Sequence, residues 1–320
     1  MSKMAILERK EGLSYTQYYK YPFPPDKKKP VVVTKDKTIV EIYPPDKPFS
    51  SNIVWVWVST DKITQTMYQL SPGAFFGPPD AHAGDEIYYV LDGTLTVFCP
   101  ETGTVNEVHQ GEALLIPKDS YHQGYNFTSK IVKVLCAIAP LMWDPQKGPS
   151  PPLKEEPKMY ESYLGAVEGE KVEKDSLVEY SWLNAKRNIS LLGRWPVDGK
   201  EARIKKDHIK VDENKMLRLI HGKNHPMLVR FYVSNDLIHM AEFEIPAGGE
   251  GPRTSEPEKH KGDETLYVAS GPITVFLPDT LDAYEVPEGS VMLIPEGTRH
   301  QYQNFTDKSV KGIFSIAPHL

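Results

Sequence analysis

Short runs of β-branched, aliphatic and aromatic residues, each closed after four to eight positions by Gly, Pro or Asp, dominate the apolar patterning of this chain. Ile87 to Val90 and Thr94 to Phe98 are two such runs joined across Asp92-Gly93, a pair that tolerates the positive φ of a tight hairpin. Ser270-Gly271 stands in the same place between two later runs, and predicts the same turn. Ala113 to Ile116 and Val291 to Ile294 are further strand candidates, each stopped by a proline. Many short strands with turn signals between them predict an all-β sandwich or barrel.

The pattern occurs twice. GDEIYYVLDGTLTVFCP (84–100) aligns with GDETLYVASGPITVFLP (262–278), and GEALLIPKDSYHQGYNFTSK (111–130) with GSVMLIPEGTRHQYQNFTDK (289–308), both at an offset of 178 residues. Upstream, Val58-Ser59-Thr60-Asp61 aligns with Val233-Ser234-Asn235-Asp236 at 175, so the second copy gains about three residues, placed in the loop GPRTSEPE (251–258). Internal duplication divides the chain into an N-terminal arm with a first barrel (1–140), a connecting segment (141–212) and a second barrel (213–320). Within the connection, the Pro-rich and charged 144–157 stretch reads as a linker. Residues 159–212 are expected to hold a short helix and strands that dock on the second barrel.

Composition narrows the function classes. With 37 Lys and Arg against 43 Asp and Glu, the net charge is −6 and the basic residues form no stripe, which argues against nucleic acid. The longest strongly apolar stretch, Ile53 to Val58, is far too short to span a bilayer, and the N-terminus shows no secretory apolar segment, so a cytoplasmic location and no membrane partner are expected. Cys99 and Cys136 align with Leu277 and Phe314 in the other copy, which makes them packing residues.

Polar residues inside the strand runs carry the chemistry. His82, Glu86 and His122 recur as His260, Glu264 and His300, with spacings of 4 and then 36 residues in both copies. Burying such groups without partners costs several kcal/mol. Two imidazoles and a carboxylate from separate strands are a common way to hold a divalent transition metal with positions left open.

These residues resemble the motifs of the cupin superfamily, and the chain resembles a bicupin with two fused barrels. The first motif is matched by His82, Glu86 and Gly93 and by His260, Glu264 and Gly271. The second is matched by Gly111, Pro117, His122 and Asn126, then by Gly289, Pro295, His300 and Asn304. The resemblance implies two double-stranded β-helix (jelly-roll) barrels with a metal inside each. The motif's further His is replaced by Asp80 in one copy and Glu258 in the other, and both are taken as candidate ligands. Two carboxylates and two imidazoles would suit Mn(II), or next Fe(II), with no organic cofactor.

Oxalate-processing bicupins resemble a pattern with all three His and four residues before the Glu, whereas three separate His82 from Glu86, so oxalate chemistry is disfavoured. The layout is similar to the large subunit of hydroquinone-cleaving dioxygenases. It implies ring opening of a hydroxylated or enolisable six-membered substrate, favoured as Lewis-acid C–C hydrolysis of a cyclic 1,3-diketone like dihydrophloroglucinol. The alternatives are Fe(II) ring-cleaving dioxygenation of a hydroquinone-type phenol, and an isomerase or a non-catalytic small-molecule-binding cupin. Tyr88 and Tyr302 are candidates for substrate contact or proton donation, or else an aromatic wall, and His239 is a candidate general base. Arg299 and Arg253 are weighed as anion partners, with Arg299 expected to point away from His300. The resemblance also implies a homo-oligomer.

Overall fold

The apolar runs become strands because alternate residues have somewhere dry to go on both faces of each sheet. A computed structural model describes residues 18–43, 52–144, 153–155, 157, 186–222, 226–248 and 257–320. The first copy forms β1 (Val31–Val33), β2 (Ile39–Tyr43), β3 (Asn52–Ser59), β4 (Thr64–Leu70), β5 (Asp85–Asp92), β6 (Thr94–Phe98), β7 (Val105–His109), β8 (Ala113–Ile116), β9 (Gln123–Tyr125) and β10 (Val132–Ala139). A short helix, α1 (Gly199–Lys205), precedes the second copy: β11 (Ile209–Val211), β12 (Leu217–His221), β13 (Met227–Ser234), β14 (His239–Ile245), β15 (Asp263–Ser270), β16 (Ile273–Leu277), β17 (Asp282–Val286), β18 (Val291–Ile294), β19 (Gln301–Gln303) and β20 (Val310–Ala317). No helix among the described residues is long and apolar enough to cross a membrane.

Each barrel is a seven-stranded antiparallel sheet closed by a three-stranded one. The orders are β11-β8-β5-β10-β4-β3-β2 with β7-β6-β9, and β1-β18-β15-β20-β14-β13-β12 with β17-β16-β19. The first strand of each copy crosses to the other barrel: β1 pairs with β18 (Val31 opposite Leu293) and β11 with β8 (Ile209 opposite Leu115). The connecting segment therefore docks a strand on the first barrel, not on the second as its position in the chain suggested. The expected linker and insertion loop lie largely outside the described residues.

The two large sheets pack back to back. On β5, Ile87 and Tyr89 enter an apolar cluster shared with Tyr232, Val233 and Met240 of the other barrel, while Tyr88 and Val90 face their own barrel's interior. Both faces of the sheet are thus buried, which is why β5 reads as a nearly unbroken apolar run instead of alternating. Cys99 and Cys136 are free and buried, as their alignment with apolar positions implied. The two hairpins differ: Gly93 has φ 83°, whereas Gly271 has no positive φ and precedes a cis Pro272.

Ion pairs pin this interface near both barrels' motif strands. Arg203 of α1 donates to Asp85 (2.7 Å) and to Asp236 of the second barrel (2.7 Å). Lys28 does the same in mirror fashion, joining Asp263 (2.7 Å) to Asp61 of the first barrel (2.8 Å). Burial pushes Asp85 above the usual carboxylate range despite the Lys118 backbone N–H, Arg203 and Asn235 that surround it.

His239, expected as a general base, has both ring nitrogens occupied. Nδ1 lies 2.8 Å from Ser234 Oγ and Nε2 3.1 Å from the Pro318 carbonyl, so Nε2 carries the proton and donates while Nδ1 accepts from the hydroxyl. Burial lowers its pKa to about 4. It is a neutral packing histidine at the start of β14.

Two outcomes follow from these contacts. Arg203→Ala strands the buried Asp85 and should cost about 3 kcal/mol of unfolding free energy in urea titrations. Lys205→Ala, at an exposed pair with Glu201 (2.7 Å), should cost under about 0.5 kcal/mol; equal effects would contradict the tie. Because His239 binds a proton more readily unfolded than folded, stability should fall as pH drops from about 6.5 towards 4, by roughly 3 kcal/mol at most from this residue. His239→Asn should flatten that part of the stability profile, and an unchanged slope would refute the assignment.

Candidate metal centres

Each centre is assembled by one strand pair and one loop. In the triplets Gly84-Asp85-Glu86 and Gly262-Asp263-Glu264 every position has its own reason. The glycines admit close passage of the neighbouring chain: a Cβ at Gly84 would lie 2.2 Å from the Ala139 carbonyl oxygen, and one at Gly262 2.3 Å from that of Ala317. The aspartates turn to the interface cations, and the glutamates, on the opposite face, turn into the barrels. His122 and His300 arrive from the loops before β9 and β19. Their backbones pair reciprocally with Asp80 (2.9 and 2.8 Å) and Glu258 (3.1 and 3.0 Å).

The two centres share one geometry. In the first barrel, Glu86 Oε2 lies 3.4 Å from His82 Nε2 and 3.1 Å from His122 Nε2. In the second, Glu264 Oε2 lies 3.3 Å from His260 Nε2 and 3.2 Å from His300 Nε2. The imidazole pairs are tilted by 54° in both. Backbone carbonyls take the other ring nitrogens: His82 Nδ1 to Met142 O (3.2 Å), His122 Nδ1 to Ser120 O (3.4 Å) and His300 Nδ1 to Thr298 O (3.1 Å). That fixes the proton on Nδ1 and turns the Nε2 lone pair inward, the arrangement of a metal-ligating histidine.

The decisive observation is what these inward atoms lack. Glu86 Oε2, His122 Nε2, Glu264 Oε2 and His300 Nε2 are buried, and each is without a hydrogen-bond partner. A buried, unsatisfied carboxylate oxygen beside unsatisfied imidazole nitrogens is costly unless a cation sits between them. The residues therefore fit a divalent ion in both barrels. Burial pulls His122 and His300 down, but the facing Glu86 and Glu264 carboxylates more than offset it and leave both raised. An ion must displace those protons.

The fourth positions differ. In the first barrel the converging atoms are those of His82, Glu86 and His122, and Asp80 is not among them; its Oδ1 accepts from the Ala81 N–H at 3.0 Å. In the second, an oxygen of Glu258 lies within 4.8 Å of nitrogens of His260 and His300. Glu258 also faces His221, whose Nε2 is 2.9 Å from Oε1. Glu258 itself is held below the usual carboxylate range, burial being outweighed by His221, His260 and His300.

The aromatic surroundings differ too. Tyr88 stands edge-on to His122 (5.7 Å) and against Tyr68 (5.4 Å), and burial drives both phenols well up. Tyr302 donates its hydroxyl to Glu264 Oε1 and stacks on Phe243 at 4.7 Å, so it holds the carboxylate with Oε2 turned towards the imidazoles. Gly124 occupies the Tyr302 position in the first barrel, and Phe76 fills the space: a Cβ on Gly124 would lie 2.3 Å from that ring. Arg299 points away from His300 to Asp279 (3.0 Å), and Arg253 lies outside the described residues.

The first centre is closed, with His82 7%, Glu86 3% and His122 1% exposed. The second opens on a cavity of about 290 Å³. Leu192, Met227, Phe231 and Phe314 supply apolar walls, and Glu258, His260, Glu264 and Tyr302 a polar end. His221 lines it as well, and the sequence reading missed it: its counterpart by strand register is Tyr43, which faces Asn52 of β3 as His221 faces Met227 of β13, so the repeat had no histidine to pair with it. Tyr68 and His208 were missed likewise. His208 is a buried neighbour of His122 that burial and that histidine lower to about 3.

Comparisons with known proteins agree with the barrel architecture. AerE from Microcystis aeruginosa superposes with a TM-score of 0.54 at 10% identity, over 89% of this chain and 98% of that one. The formate complex of oxalate decarboxylase from Lactobacillus farciminis gives 0.56 at 14% identity, over 91% and 86%. The oxalate decarboxylase of Bacillus subtilis, described with Mn(II) centres, gives 0.54 at 13%, over 90% and 77%. At these identities the likeness concerns the fold. A search of curated proteins finds no sequence match. The Cupin domain family matches residues 66–138 and again 241–316. Matched twice by that family and folded as two jelly-roll barrels, the chain is a bicupin of the cupin superfamily.

Proposed function

We propose that this bicupin is a metal-dependent enzyme that opens a hydroxylated or enolisable six-membered ring in its second barrel, by hydrolysing a C–C bond of a cyclic 1,3-diketone of the dihydrophloroglucinol type. The observation that carries the reading is the second-barrel cavity of about 290 Å³, lined by apolar side chains such as Leu192, Phe231 and Phe314 together with Glu258, His260, Glu264 and Tyr302. Oxalate, a small dianion with no apolar body, has little use for such apolar lining. A divalent ion held by His260, Glu264 and His300, with Glu258 in reach, would supply Lewis acidity towards a ring carbonyl. Mn(II) is the favoured ion, supported by the Mn(II) centres of the oxalate decarboxylase of like fold.

The chain's own residues set the conditions for that chemistry. Tyr302 holds Glu264 in one orientation, Phe231 and Phe314 exclude water from the ring, and Glu258 brings a carboxylate to the polar end. In the overall reaction a water adds its hydroxyl to the carbonyl carbon and its hydrogen to the α-carbon as the bond between them breaks, giving an open-chain keto acid. A second reading, Fe(II) dioxygenation of a hydroquinone-type phenol, is favoured by the ligand count, since two imidazoles and one carboxylate are the set used by many non-haem iron oxygenases.

Turnover without oxygen separates the two. Mn(II)-loaded protein given a cyclic 1,3-diketone under argon should yield the keto acid, and chelation should abolish the yield. Product formed solely with Fe(II) and O₂ would replace the hydrolytic reading with the oxidative one. Glu264→Gln should lower kcat/KM at least 100-fold with loss of bound metal, whereas Glu86→Gln should lose the first metal and leave kcat/KM within about fivefold. The reverse result would move the reaction to the first barrel.

A further inference from the structure

Resting on the second-barrel reading, we propose that His221 is a substrate-contacting residue of the cavity, positioned by Glu258, and that it accepts the hydrogen bond of an enolic or phenolic hydroxyl on the bound ring. His221 ends β12 at the edge of the second large sheet, where its backbone faces Met227 of β13. Its imidazole lines the cavity together with Glu258, His260, Glu264 and Tyr302. It is a polar lining side chain outside the set His260, Glu264 and His300 that would hold the ion, and it contacts Glu258 directly. It is not part of the 4.8 Å grouping of Glu258, His260 and His300.

The pair is arranged for orientation. Nε2 is buried against Glu258 Oε1 at 2.9 Å, while the side chain as a whole keeps 31% of its surface. A carboxylate cannot donate, so in the neutral ring the proton belongs on Nε2 beside Glu258 and Nδ1 is left with its lone pair, to which no described residue donates. An oriented imidazole with one nitrogen on a carboxylate and the other free is an acceptor for a hydroxyl held at a set distance. The Leu219 and Ile220 backbone carries it there on a strand, a more rigid support than a loop.

The centre thereby has two distinct recognition elements. The ion's open positions would take the carbonyl oxygen, and His221 the hydroxyl across the ring from it. A ring with two oxygens in 1,3 or 1,4 relation meets both, and a mono-oxygenated ring meets one. The site's selectivity for doubly oxygenated rings is placed on a residue that the first copy lacks.

Calorimetric titration of the full-length Mn(II)-loaded protein tests this with two probes, cyclohexane-1,3-dione, which carries an enolic hydroxyl, and cyclohexanone, which does not. Wild type should bind the dione at least tenfold more tightly than cyclohexanone. His221→Ala should erase that preference by weakening the dione alone, and His221→Gln, which keeps an acceptor oxygen, should restore part of it. Metal content should equal that of wild type in both variants. Loss of Mn(II) from the second site in His221→Ala would make His221 a ligand and overturn the proposal. Dione affinity unchanged in His221→Ala would overturn it while leaving the ring-opening reading intact. Failure of the wild type to bind the dione at all would overturn both.

Discussion

A carboxyl side chain on an inner strand of a sheet buried on both faces is the constraint from which the rest of this molecule follows. Glu86 and Glu264 are 3% and 1% exposed, in sheets whose inner face is barrel core and whose outer face is the other barrel. Desolvating such a group is tolerable only with a cation and well-placed partners. The strand period of 2 then assigns the neighbours: with Glu86 inward, Asp85 and Ile87 must face the opposite barrel. Asp85 would bring a second buried charge, and Arg203 and Asn235 are there to meet it. Metal site and interface are thus two faces of one register, and a slip by one residue would destroy both.

Duplication preserved the ligand geometry and let the walls diverge. The two Glu-to-His distances agree within 0.1 Å between barrels, while the aromatic complement was redistributed: Tyr68, Phe76 and Tyr88 around the first centre, Phe243 and Tyr302 around the second. Core volume has to be kept when a side chain changes. The Gly124 and Phe76 pairing set against Tyr302 shows the compensation directly. The exchange also moved a phenol from a place beside the histidine to a place on the carboxylate, which frees one end of the second barrel to open.

Much of this was legible in the sequence because the repeat acts as an internal comparison. Residues required twice, such as His82 and His260 or the two Gly-Asp-Glu triplets, stand out against sequence that drifted. Strand runs were legible for the same reason as the core, through apolar patterning. What the sequence concealed is whatever exists once. His221 has Tyr43 as its counterpart, and its role depends on β12 bringing it to Glu258 across 37 residues of chain. Crossing of β1 and β11 was hidden because local pattern says that a segment is a strand and nothing about which sheet it joins. Asp80 and Glu258 looked equivalent in sequence, yet Glu258 joins the grouping of His260 and His300 while Asp80 stays outside that of His82, Glu86 and His122. His239 was a candidate base by its place in the strand before the insertion, and the serine that occupies its Nδ1 lies across a turn.

The exchanged strands explain why two barrels persist in one chain. Neither large sheet contains a full complement of strands from its own copy: β8 is covered by β11, and β18 by β1. Without the partner's strand, an edge would be exposed directly beside β5 or β15, the strands that carry the metal carboxylates. The same connections deliver Arg203 and Lys28, so the segment that covers one barrel's edge also places a cation on an aspartate next to a metal ligand. A barrel that could fold alone would have no need of either device. The second centre borders a cavity, and it is Lys28, from the arm of the first copy, that pairs with Asp263 behind it. The closed first barrel therefore contributes to the open one as a support, and a cation held by His82, Glu86 and His122 would strengthen it.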